Sequence, residues 1–334
     1  MSPVRSQRPT LKTISELSGF AVPTVSRALK GAPDIGKSTK ETVQRIAREI
    51  GYVPNRAGVR LKTGKTNVIS LVLSTEQDML NHPARLISSF AGTLRDTNYH
   101  VIVTPFFPDE DPLKPVEYIV ETGSADAIVL NQIKPEDERV AYLMERNFPF
   151  ATHGRTKWSQ SHPYFDFDND QFGRHAVAEL ARRGRKNLAL IAPPPDQNYG
   201  REMIAAALDA APHQNVAMTH IDSVVSDGAS QKIRETVALY LDTNPKTDAI
   251  ICASTASAMA SVAAAEATGR RIGHDLDIFA KEVAPFLNLF RPGILSIRED
   301  TGRAGKFLAK AAMQAINRPD LAPLQALDFS APPE

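Results

Sequence analysis

The chain has 334 residues, 42% of them apolar and 23% charged, an ordinary balance for folded domains with cores of their own. Its single cysteine, Cys252, excludes an internal disulfide and fits a reducing compartment. No apolar run reaches the length of a membrane span, and the first residues lack the apolar stretch of a signal peptide. The expected location is therefore the cytoplasm, with no membrane partner. The net charge of +1 conceals a division: residues 1–66 carry 13 Lys and Arg against 4 Asp and Glu, and the remainder 26 against 34. A basic module on an acidic body is the arrangement expected when only one part meets phosphates. A basic tail that touches nothing in particular is the alternative.

Local order in the basic module argues against that alternative. From Thr10 onward, Leu11, Ile14 and Leu17 share one helical face, with Thr10 or Thr13 available as a cap. Residues 18–20 break the pattern, and Gly19 suits a left-handed turn. A second helix is expected over 22–29, with Val25, Ala28 and Leu29 apolar and Pro23 in the first turn, where a missing N–H costs nothing. A third, roughly 38–50, buries Val43, Ile46, Ala47 and Ile50 and ends at Gly51. Two short helices joined by a glycine turn can cross steeply and offer the second to a major groove.

The strings TLKTISELSG at 10–19, TVSRAL at 24–29, GYVPN at 51–55 and LKTGKT at 61–66 together resemble the headpiece of the LacI/GalR family of transcription regulators. That resemblance implies a helix-turn-helix headpiece over 1–54, a hinge helix and linker over 55–65, and a ligand-sensing and dimerisation domain over 66–334. Val22, Pro23 and Arg27 then face base edges. Thr10, Thr24, Ser26 and Asn55 lie near phosphates, and Arg56 and Lys62 join the DNA-contacting set. Arg27 is the best candidate for direct readout, because a guanidinium can bond guanine O6 and N7 together. A phosphate contact or a solvated helix face is its other reading. Val22 and Pro23 have no donors, so they read by apolar contact with a thymine methyl or by fit. Ala21 departs from the family's frequent serine cap, a loss typically of about 1 kcal/mol. Leu61 holds the position of a leucine wedge in the minor groove, unless it merely packs a linker. Gly58 weakens the hinge helix by about 1 kcal/mol relative to alanine, so this helix is expected to form mainly on DNA and in a dimer.

Beyond the basic module, short apolar runs at 68–73, 100–104, 127–130, 149–152, 187–192, 216–221, 249–252 and 277–280 read as strands. Helical stretches such as 83–96, 171–183, 199–211, 230–241 and 256–268 lie between them. Strands separated by helices imply parallel sheets covered on both faces, and ligands of such sheets bind at the strands' carboxyl ends. The fold class is thus α/β: a three-helix headpiece with hinge helix, then two Rossmann-like lobes that read as weakly similar copies. The body resembles, more loosely, the family's type I periplasmic-binding-protein-like domain. By that resemblance the chain crosses between lobes near 164–168, 296–299 and 323–328. The first lobe then holds about 66–165 and 298–323, and the second about 166–297 and 324–330.

The same resemblance nominates cleft residues that follow strand ends: Asn131, Arg155, Arg201, Ser254, Lys281, Glu282 and Glu299. Trp158 is a candidate for stacking on a sugar ring, or for simple packing. Three departures from the family pattern keep the effector from being copied from a well-known member. Ser254-Thr255 replaces Asn-Asp, Lys281-Glu282-Val283 replaces aromatic-Asp-Asp, and Gly154 replaces an aspartate. The charged and polar set still suits a polyhydroxylated ligand, a mono- or oligosaccharide, and the overall pattern is similar to α-glucoside-type regulators of the family.

Other signals carry less. Residues 166–170 suggest a calcium loop but lack glycine at the sixth position and glutamate at the twelfth. Gly64-Lys65-Thr66 resembles the end of a phosphate loop, yet the required earlier glycine is Val59. The eight histidines show no metal-ligand spacing, and no catalytic base with an oriented nucleophile assembles. No enzyme, cofactor or metal is expected. The function implied is a repressor of carbohydrate-utilisation genes on a pseudo-palindromic operator in double-stranded DNA, controlled by an effector between the lobes. Because no leucine heptads follow Phe329, a homodimer is expected rather than a tetramer. The alternative is a sugar-binding protein or sugar-handling enzyme with an incidental basic N-terminus.

Overall fold

The computed structural model describes residues 9–53, 60, 64–75, 82–107 and 109–329, and the chain divides into two units, Met1–Thr66 and Asn67–Glu334. In the first unit, three amphipathic helices follow the apolar spacing: α1 (Leu11–Ser18), α2 (Val22–Leu29) and α3 (Lys37–Glu49). Both caps offered by the sequence are used. Thr10 Oγ1 accepts from the Thr13 amide at 3.3 Å, and Thr13 Oγ1 accepts from the Thr10 amide at 3.1 Å. Gly19 then takes φ 74°, a left-handed conformation that reverses the chain into α2. Ile14, Val25, Ala28 and Val43 are fully buried and close the core with Ile46 and Ala47. Ala21 gives α2 no side-chain cap. Ala21→Ser is therefore expected to stabilise this unit by about 1 kcal/mol, read as a higher headpiece melting temperature. The expected hinge helix, with Asn55, Arg56, Leu61 and Lys62, lies outside the described residues.

The second unit holds two parallel sheets. The first sheet contains β1 (Val68–Ser74), β2 (His100–Phe106), β3 (Ala127–Leu130), β4 (Phe150–His153), β5 (Tyr164–Phe167) and β11 (Gln325–Asp328), in the order β11-β5-β4-β3-β1-β2. The second contains β6 (Asn187–Ile191), β7 (Ala217–His220), β8 (Ala249–Cys252), β9 (Asp277–Glu282) and β10 (Leu295–Arg298), in the order β10-β9-β8-β6-β7. Setting β11 aside, both sheets have the strand order 2-1-3-4-5, which is the basis of the similarity between the halves.

Side chains alternate across each central strand and so feed two cores. Ile69 and Leu71 of β1 pack with α4 (His82–Thr93) and α12 (Thr301–Asn317), whereas Val68 and Val72 pack with α5 (Lys114–Thr122) and α6 (Glu138–Glu145). In the second lobe, Leu188 and Leu190 face α7 (Asn169–Arg182) and α8 (Asn198–His213). Ala189 and Ile191 face α9 (Ser230–Thr243) and α10 (Thr255–Ala267). Helix α12 follows β10 of the second sheet yet packs on the first, against α4. Gly305 permits that approach, because a Cβ there would stand 2.5 Å from the Leu86 carbonyl oxygen. A short helix, α11 (Leu287–Phe290), joins β9 to β10.

One boundary differs from the sequence expectation. Residues 324–330 were expected in the second lobe, but β11 pairs in parallel with β5, from Gln325 beside Tyr164 to Asp328 beside Phe167. Leucine and alanine at alternate positions fit either sheet, so pattern alone does not choose. The chain turns toward the second core only at Phe329, whose ring lies 5.9 Å from that of Phe167.

Candidate functional site

On the first unit, burial of Val25 and Ala28 turns the opposite face of α2 outward. Val22, Pro23 and Arg27 are exposed, with Thr24 and Ser26 half-buried beside them. Arg27 is held by an ion pair with Asp34, both partners about half exposed. Exposed pairs of this kind are worth about 0–1 kcal/mol, so the guanidinium can be released to a better acceptor at little cost. Thr10 is exposed at the start of α1, its hydroxyl shared with the cap.

In the second unit, a cleft of about 500 Å³ opens at the carboxyl ends of the strands of both sheets. Its first-lobe wall includes Asn131, after β3, and His153 at the end of β4, and β5 supplies Asp166 and Phe167. Its second-lobe wall carries Asn169, Tyr199, Asp227, Ser254 and Lys281, and Glu299 lies at the crossover after β10. Lys281 Nζ pairs with Glu299 Oε2 at 2.9 Å, and His153 Nε2 stands 3.6 Å from Glu299 Oε1. Lys281 also lies 5.2 Å from the Phe167 ring centre and 5.8 Å from that of Tyr199. Asp227 is oriented by Tyr199 Oη, which donates at 2.7 Å, and by Ser226 Oγ at 2.6 Å. Burial pushes the Asp166 carboxyl up to about 7, against the opposing guanidinium of Arg155.

Of the residues nominated from sequence, Asn131, Ser254, Lys281 and Glu299 line this cleft; Arg155, Trp158, Arg201 and Glu282 do not. Glu282 turns inward to cap α11, accepting from the Phe286 and Leu287 amides at 3.1 Å and from Ser296 Oγ at 2.7 Å. Trp158 packs against the first lobe's core, under the ammonium of Lys157. Arg201 points to solvent from the first turn of α8. Arg155 stands behind Asp166 in ion pairs of its own. Ser254 lines the wall, but its hydroxyl is committed: it caps α10 through the Ser257 amide and donates to the Ser226 carbonyl.

The cleft also holds His153, Asp166, Asn169, Tyr199 and Asp227, none of them expected there from sequence. Each lies near the end of a strand, follows one, or opens the helix after one, on the side where such sheets bind ligands, and that position was the available signal. Among the described residues no group of three His, Cys, Asp or Glu is placed to hold a metal, and no helix is long and apolar enough to cross a membrane.

Comparison with known proteins agrees in both units. Residues 10–55 match the profile of bacterial regulatory proteins of the lacI family, and residues 177–330 that of a periplasmic binding protein-like domain. The HTH-type transcriptional regulator AglR of Rhizobium meliloti (strain 1021) is 28% identical over 316 residues, 92% of this chain and 87% of AglR. Two solved structures share the fold over 96% of this chain. One is the transcriptional regulator CelR in complex with cellobiose, with 23% identity, 97% of that chain covered and a TM-score of 0.69. The other is the lac repressor dimer bound to operator and the anti-inducer ONPF, with 18% identity, 96% covered and a TM-score of 0.83. The chain is a DNA-binding transcription regulator and not an enzyme, with a headpiece that belongs to the lacI family of bacterial regulatory proteins and a body like that of periplasmic binding proteins.

Proposed function

We propose that this regulator is a cytoplasmic homodimeric repressor, and that a small saccharide in the cleft sets its hold on a pseudo-palindromic operator. The carrying observation is one chain that holds both an exposed α2 face on a basic unit and a cleft between two lobes that sets hydrogen-bonding side chains among apolar ones. In this reading Val22, Pro23 and Arg27 meet base edges, and Thr10, Thr24 and Ser26 meet the backbone. Asn55 also meets a phosphate, Leu61 is the wedge in the minor groove, and Arg56 and Lys62 complete the DNA-contacting set. Two headpieces on one dimer match two half-sites, so the symmetry of the operator follows that of the protein.

The cleft offers carboxylates and amides that accept and donate to hydroxyls, with the apolar walls of Phe167, Ala256 and Met259 against which ring C–H groups pack. A regulator of the same fold has been solved with cellobiose, which supports a saccharide here. An effector that binds the two lobe arrangements unequally shifts operator affinity, by couplings commonly of about 1–3 kcal/mol.

Calorimetry with a panel of neutral mono- and disaccharides tests the effector half of this proposal. Asn131→Ala removes a cleft amide and is expected to weaken the bound saccharide about tenfold, the loss of one hydrogen bond of about 1.4 kcal/mol, without changing ligand-free DNA affinity. Binding of no saccharide, or equal binding by the variant, contradicts it.

The buried carboxyl of Asp166 adds a pH signature. Its folded value of about 7 lies above the ordinary 3.8, so the folded state holds this proton more tightly than the unfolded chain. Ionisation of Asp166 therefore costs stability as pH rises between those two values. Relative to wild type, Asp166→Asn is expected to gain melting temperature across that window and to hold a constant difference above it. A difference that does not vary with pH overturns this assignment.

A further inference from the structure

We propose that Arg155 is a positioning residue that couples the cleft to the angle between the lobes. One edge of its guanidinium holds the cleft carboxylate of Asp166, and another nitrogen holds the second lobe through Glu202. Arg155 follows β4 in the first lobe. Its Nε donates to Asp166 Oδ2 at 2.9 Å, and its Nη2 donates to Glu202 Oε2 at 2.7 Å. Glu202 belongs to α8 of the second lobe, where Asn198 Nδ2 fixes its other oxygen at 2.9 Å.

Two further ties join the same edges. The Asn198 amide donates to the Ile133 carbonyl at 2.8 Å, and Lys134 pairs with Asp196 at 3.0 Å. The Lys134–Asp196 pair is about half exposed and therefore weak, whereas the Arg155 side chain is only 24% exposed and its partners 6% and 25%. The charged tether is the stronger of the two ion pairs.

The geometry needs arginine. A planar guanidinium presents separate donors in a rigid fork, so it can serve two carboxylates on two lobes at once, and a lysine ammonium cannot hold that spacing. Rotation of the second lobe pulls Glu202 away from Arg155 and frees the guanidinium to follow Asp166 alone. A ligand hydroxyl that bonds Asp166 competes for the oxygen that Arg155 uses. Cleft occupancy and lobe angle thus act on the same three side chains, which gives them one element with two arrangements. The inference concerns the lobes alone and holds whatever the effector is.

The test reads distances between spin labels in the full-length protein without effector. Labels at Glu121→Cys on α5 and Asp242→Cys on α9 report the two lobes, both sites being exposed. Labelled chains are diluted with unlabelled ones so that only distances within one protomer are read. Cys252 stays silent, because full burial pushes its thiol up to about 12. The otherwise wild-type protein is expected to give one narrow distance distribution. Glu202→Ala and Arg155→Lys each broaden it and add a longer component, while Lys134→Ala leaves it unchanged. Unaltered distributions in Glu202→Ala and Arg155→Lys overturn the proposal. Glu202 is partly exposed, so its alanine variant carries the test even where the lysine variant folds poorly; melting curves establish which variants are folded.

Discussion

Arg27→Ala is expected to lower affinity for the specific operator by about 1–3 kcal/mol per half-site, roughly fivefold to more than a hundredfold, while non-specific binding falls far less. Ile14, Val25, Ala28 and Val43 fill the headpiece interior, which leaves the opposite face of α2 exposed. Val22 and Pro23 on that face have no hydrogen-bond donors, so Arg27 is the residue there able to bond a guanine edge at two points. Its present partner, Asp34, holds it by an exposed pair that yields easily. Anisotropy titrations at two salt concentrations separate readout from phosphate attraction, because loss of a phosphate contact lowers the salt slope and loss of a base contact does not. A uniform loss on specific and random DNA assigns Arg27 to the backbone instead.

Phe172→Ala is expected to destabilise the body by about 3–5 kcal/mol, a large share of a typical domain's stability of 5–15 kcal/mol. Phe172 is fully buried on α7, its ring 6.3 Å from that of Phe167 and 5.7 Å from that of Phe279. Those neighbours matter for function. Phe167 lines the cleft, and Phe279 lies on β9 two residues before Lys281. The cavity left by alanine sits beneath the cleft floor, so effector affinity falls together with the melting temperature. Phe172→Leu, which retains most of the volume, recovers most of both. Loss of effector binding with an unchanged melting temperature contradicts the packing role.

The headpiece was legible in the sequence because its information is local: a cap at Thr10, a turn at Gly19, a helix-compatible Pro23 and apolar residues at helical spacing that form a six-residue core. The strand and helix alternation of the body was legible for the same reason. Cleft residues were harder. Position after a strand end tells which end of the sheet a residue occupies, but not which way its side chain turns. Glu282 turns inward to accept from the Phe286 and Leu287 amides where α11 begins. Arg155 turns away because Asp166 and Glu202, 11 and 47 residues distant, converge on it. Such long-range pairings leave no trace in periodicity. The placement of β11 is a similar case: a four-residue strand fits either sheet, and only its pairing with β5 decides.

The most direct test is to incubate the purified protein with fragmented DNA from its own source genome and sequence what it retains, with Arg27→Ala alongside. The wild type alone is expected to enrich a short palindromic sequence, and the saccharide bound in the cleft to change its retention. Equal, unspecific retention by both proteins contradicts sequence reading by α2.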